Sequence, residues 1–201
     1  MDNPSRRRVL AAGVAGTALG LIGGRAASAG TIPPEEPESD EPVARPTPED
    51  LELLDFALSV ELSAGDLYQA SIDAGAEDPI FDVLRNNHRS FADVLSGILG
   101  TNASRAPDVR LFDDREASFA VGDVPAVAAA GYDLESTLVA THTELLRSIE
   151  GTDGAEMLAS ILIVEARNCA VLADLAGNGD DLDALFVNDA EPLAVSRPTG
   201  G

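Results

Sequence analysis

The sequence predicts an all-α fold, a four-helix bundle with one long crossover between its second and third helices. Three observations carry that reading. Apolar residues recur at alternating spacings of three and four in four separate stretches, the period of a helix face packed against neighbours. Each stretch is closed by a glycine (Gly75, Gly100, Gly151 or Gly177), the residue that best tolerates the backbone reversal at a helix end. The connections are unequal: two are short, whereas the middle one, 101–123, has 23 residues.

The first helix is expected from about Pro48 to Asp73. Thr47 supplies an N-cap, Pro48 a first-turn proline, and Glu49 and Asp50 the acids that favour a helix start. Its seam is Leu54, Leu58, Glu61, Gly65, Tyr68 and Ile72. The second runs from about Asp78 to Leu99 on Phe81, Leu84, His88, Phe91, Leu95 and Ile98. From Thr101 to Asp123 the pattern lapses at Pro107, Asp113-Asp114 and Gly122, which predicts a loop. The third helix spans about Val124 to Ile149, with Val127, Gly131, Leu134, Leu138, His142 and Leu145 on one face and Glu135 on its flank. The fourth spans about Asp153 to Leu175 on Leu158, Ile161, Glu165, Asn168 and Leu172. Such helices are about 33 Å long at 1.5 Å per residue. Short hairpins make each sequential pair antiparallel. Roughly ten to twelve extended residues span a bundle of this length, so the middle connection is long enough to cross it end to end.

The termini read differently. Arg6-Arg7-Arg8, the Gly- and Ala-rich apolar run from Val9 to Gly24, and Ala27-Ser28-Ala29 form a charged, an apolar and a cleavage region. Residues 1–29 are thus expected to be a twin-arginine signal. It would send the protein to the extracellular or cell-surface space, with no membrane association after cleavage. Residues 30–49, with six prolines and many acids, read as an extended linker. The helical domain then covers 50–177. The tail, 178–201, carries Leu182, Leu185, Phe186 and Val187 as a short docking turn.

Composition excludes several functions. The net charge is −22, and all thirteen cationic side chains are Arg. Such a chain lacks the cationic patch that nucleic acid or an anionic membrane requires. The acidity fits adaptation to high salt or a genome that spells cations as Arg. A single cysteine, Cys169, excludes an intramolecular disulfide and every multi-cysteine zinc site. It offers a route to a homodimer after export, and it reads equally as a small core thiol. No protein partner is legible.

Each predicted helix carries a polar residue near its midpoint: Glu61, His88, Glu135 and Glu165. Midpoints meet in a bundle whichever way its helices run, so these four should converge. Buried carboxylates are costly without cations or protons. One solution is a single iron or manganese ion, which oxygen and imidazole ligands suit. The other is an internal ion-paired layer, with Arg85 replacing metal as the cation. Tyr68, His142 and Asn168 lie on the same seams, as a surrounding shell or as ordinary core residues.

The strings Leu54-Asp55-Phe56-Ala57-Leu58-Ser59-Val60-Glu61, Asn87-His88-Arg89, Leu134-Glu135 and Ser160-Ile161-Leu162-Ile163-Val164-Glu165-Ala166-Arg167 resemble the ferritin-like domains of exported bacterial and archaeal proteins. The resemblance covers about Asp50 to Gly177. It implies a ferritin-like bundle and, in metal-binding members, one Glu from each of the first and third helices plus a Glu-x-x-His pair from each of the others. Glu61, His88, Glu135 and Glu165 match that pattern. Arg85 stands where one Glu belongs and Asn168 where one His belongs. The implied function is therefore a domain with a degraded di-metal centre in a non-catalytic structural or binding role. The alternative is a metal-binding oxidoreductase or iron-handling protein using the surviving ligands. A third reading, a cell-surface interaction module on the acidic linker, rests on that linker alone.

Overall fold

A computed structural model describes residues 44–195. The expected signal and most of the linker lie outside the described residues. Among the described residues there are six α-helices: α1 (Pro48–Asp73), α2 (Pro79–Leu99), α3 (Val109–Phe119), α4 (Val124–Ser148), α5 (Thr152–Leu175) and α6 (Leu182–Phe186). A single 3-10 turn, Gly100–Asn102, follows α2. Among the described residues there is no strand, and no helix is long and apolar enough to cross a membrane.

The four long helices fall where apolar spacing places them, and their ends have local causes. Thr47 and Asp50 form a reciprocal capping box, each side chain accepting from the other's backbone N–H at 3.2 and 2.9 Å. Asp78 and Asp123 cap α2 and α4 by accepting from Ile80 N and Ala126 N. Gly75 and Gly177, with φ near +90°, turn the chain out of α1 and α5. α5 has no side-chain cap of its own. The buried Asp50 carboxylate of α1 serves instead, accepting from Glu150 N and Gly151 N at 2.9 Å.

That clasp fixes the direction of the bundle. The start of α1 sits against the α4–α5 turn, and Gly122, just before α4, approaches Ala74 at the end of α1. α1 therefore runs antiparallel to α2 and α4, while α2 and α4 run parallel. Consecutive long helices that run parallel need the chain to return along the bundle between them, which is the predicted crossover.

The crossover departs from the predicted loop. Its second half is α3, capped by Asp108, whose carboxylate accepts from Arg110 N and Leu111 N. α3 lies across α1 and α4. Asp108 N donates to Ser59 O, Ser63 Oγ to Asp108 O, and Arg115 to Thr137 Oγ1. Buried Leu111 and Phe119 join it to the core. The breakers Pro107 and Gly122 are real, but they bound a helix on either side.

The tail forms a short helix, α6, where a docking turn is expected, but Leu182, Phe186 and Val187 stay exposed, and hydrogen bonds rather than apolar docking hold it. Tyr132 donates to Ala184 O in α6, Asn188 to Ser136 O, and Leu193 N to Thr141 Oγ1. Residues 182–193 thus form a strap along the outer face of α4.

Candidate metal centre

The bundle's apolar layers are interrupted at mid-height by polar side chains. Glu61 from α1, His88 from α2, Glu135 and His142 from α4, and Glu165 from α5 all have no solvent exposure. All four predicted midpoint residues therefore enter the core. His142, expected as a peripheral residue, stands among them.

One half of this layer is saturated. His88 Nδ1 lies 2.7 Å from Glu61 Oε2, and its Nε2 lies 3.1 Å from Glu135 Oε1. Tyr68 OH donates to the same Glu135 Oε1 at 2.8 Å, and Asn168 Nδ2 donates to Glu135 Oε2 at 3.2 Å. The His88 ring stacks on Tyr68, with centroids 5.6 Å apart, and meets the edge of Phe91. Phe119 of α3 packs against Tyr68 in an edge arrangement at 5.4 Å, so the crossover helix helps close this half.

The other half is open in its bonding. His142 Nδ1 pairs with Glu165 Oε2 at 2.8 Å. Its Nε2 stands 3.5 Å from Glu61 Oε1 without forming a hydrogen bond. Glu61 Oε1, His142 Nε2 and Glu165 Oε1 are the buried side-chain polar atoms without a hydrogen bond among the described residues. An unpartnered buried polar atom costs about 1–3 kcal/mol, and more where it bears charge. Three on adjoining residues demand an account. The same residues, Glu61, His142 and Glu165, can each present one ligand atom so that all lie within 4.8 Å of one another. They are a group able to hold a metal ion.

Electrostatics follow the same division. Burial alone would lower the His88 pKa, but the Glu135 and Glu61 carboxylates outweigh it and hold the ring well above its usual value. His142 is also raised against the pull of burial, chiefly by Glu165. Burial pushes the Glu165 carboxyl up to about 7 although His142 opposes the shift. Burial, reinforced by Glu135, keeps the Tyr68 phenol well above its usual range and hence neutral.

Arg85 does not supply the core cation. Its guanidinium pairs with Asp82 at 2.8 Å and bonds Gln69 and Asn86, so it stays at the rim between α1 and α2. The physical reason is solvation. A long flanking side chain can lay its stem on the helix and keep its charge wet, whereas entering the core would strip that charge of water. Cys169 is half-buried, 3.7 Å from Ser136 Oγ, and burial pushes its thiol up to about 12.

A family model described as a ferritin-like domain matches residues 49–178. The chain belongs to the ferritin-like domain family. No curated protein and no solved structure matches it. The pattern that the resemblance implies has a Glu and a His where this chain carries Arg85 and Asn168. The structure shows what each substitution does: Arg85 withdraws to the surface, and Asn168 turns its amide onto Glu135. His142 brings a second imidazole from α4, outside the expected set of Glu61, His88, Glu135 and Glu165. Its place was signalled by register. It lies two turns from Glu135 on one face, and the hairpin at Gly151 folds it back toward Glu165. The residues fit one ion at Glu61, His142 and Glu165, where donor atoms lack partners. They do not fit a second ion beside His88 and Glu135, where donors and acceptors already bond one another.

Proposed function

We propose that this chain is an exported, metal-binding member of the ferritin-like domain family, with Glu61, His142 and Glu165 holding iron or manganese in a binding or iron-handling role. The observation that carries the reading is the set of three unpartnered buried atoms on those residues. Two carboxylates and an imidazole form a mixed oxygen and nitrogen donor set, which suits either ion. Bound there, the ion would supply Lewis acidity and, as iron or manganese, access to one-electron change. Burial would keep the carboxylates dry and raise their attraction for a cation. Arg85 at the rim favours this reading over a core neutralised by arginine. Export rests on the paired arginines and the Ala27-Ser28-Ala29 site, and the acidic surface then suits a salty exterior.

The test is metal content of the full chain, folded with iron(II) under anaerobic conditions or with manganese(II), then desalted and measured by elemental analysis. The wild type is expected to retain metal, and His142→Ala and Glu165→Gln to lose it. A folded wild type retaining none would refute the metal reading.

A further inference from the structure

We infer that the centre holds one ion only, because His88 occupies the position of a second as a fixed double hydrogen-bond partner and is not a metal ligand. The inference rests on the metal reading above and narrows it. Its basis is the contrast between two halves of one polar layer.

On the His88 side, both ring nitrogens face carboxylate oxygens, Glu61 Oε2 at 2.7 Å and Glu135 Oε1 at 3.1 Å. A ring with a carboxylate at each nitrogen has no lone pair left for a metal. It also lies between Glu61 and Glu135 and holds them on opposite edges. Both Glu135 oxygens are engaged: Oε1 takes Tyr68 and His88, and Oε2 takes Asn168. Asn168 therefore does more than lose a ligand, since its amide bonds the Glu135 oxygen that Tyr68 and His88 leave. Stacking on Tyr68 and the edge of Phe91 hold the ring in this orientation. On the His142 side, one nitrogen and two carboxylate oxygens make no hydrogen bond, and His142 Nε2 and Glu61 Oε1 stand 3.5 Å apart. Glu61 joins the halves, with Oε2 committed to His88 and Oε1 unpartnered. His88 is thereby a positioning residue that turns the Glu61 carboxylate so that one oxygen faces His142.

The experiment is manganese(II) binding by the full chain, followed by elemental analysis after desalting and by pulsed paramagnetic resonance of the bound ion. One retained equivalent coupled to a single imidazole nitrogen is expected. His142→Ala should abolish that nitrogen coupling, while His88→Gln, if folded, should keep it. Two equivalents, or two coupled imidazole nitrogens on one ion, would overturn the inference and leave the metal reading standing. No retained equivalent in folded wild type would overturn both. The wild-type spectrum decides the matter even if His88→Gln does not fold.

Discussion

At the scale of single residues, His88, His142 and Glu165 give the centre a pH response of definite sign. Glu165 carries a pKa raised from 4.5 to about 7. A folded state that holds a proton longer than the unfolded one loses stability as pH rises through that interval. His88 and His142 act in the same direction. Their folded values are raised above 6.5, so their stabilisation is complete below that pH and is lost as pH climbs through the folded values. The metal-free protein should therefore unfold at lower urea concentration at pH 8 than at pH 5.5. Manganese should oppose the trend, since it competes with the protons of Glu165 and His142. Equal midpoints at the two pH values without metal would contradict the raised values. Tyr68→Phe makes a milder test. It removes one donor from Glu135 and should cost about 1 kcal/mol while leaving the retained metal unchanged. Loss of metal in a folded Tyr68→Phe protein would place the ion nearer Glu135 than the geometry does.

At the scale of elements, what the sequence showed and what it hid follow from the reach of each signal. The long helices were legible because burial repeats along them: Leu54, Leu58 and Tyr68 each return to the core, and a period needs several turns to declare itself. α3 has 11 residues and two buried side chains, Leu111 and Phe119, too few for a seam. Its clearest sign was Asp108, an N-cap immediately after Pro107. Arg85 shows the opposite limit. Register placed its backbone correctly, yet the direction of a long side chain is decided by solvation and by neighbours such as Asp82 and Gln69. His142 was visible on its seam, but the family pattern assigned the ligand role elsewhere. The Asp50 clasp is a further element-level feature, since one carboxylate serves the cap of α1 and two amides of the α4–α5 turn. Burial would raise its pKa, but those N–H groups outweigh it and lower the value. Its contribution thus persists above the ordinary carboxylate range and fades only as pH falls through the lowered value. Asp50→Ala should cost roughly 2–4 kcal/mol by removing a cap and stranding buried amides. Chemical denaturation at pH 7 would measure it. Gly131→Ala should also destabilise, since an added Cβ would lie 3.0 Å from the Tyr68 hydroxyl and 3.2 Å from Leu172. Overpacking of this kind costs about 1–3 kcal/mol.

For the whole molecule, a ligand that binds only the folded state stabilises it by mass action. Metal at about one hundred times its Kd adds about 2.7 kcal/mol. In a domain of this size that should raise Tm by roughly 5–10 °C. Thermal melts with and without manganese(II) would show it, and the shift should vanish in His142→Ala. The strap has a different bearing on the whole. The stretch shared with relatives closes at residue 178, yet the hooks at Ala184, Asn188 and Leu193 grip α4 beyond that point. At the other end, Ala44 O accepts from Asp153 N before the shared stretch begins. The unit of ancestry is thus shorter than the hydrogen-bonded unit. A protein trimmed to its homologous part would keep its four long helices and expose the outer amides of α4 to exchange, beside the residues that carry Glu135 and His142.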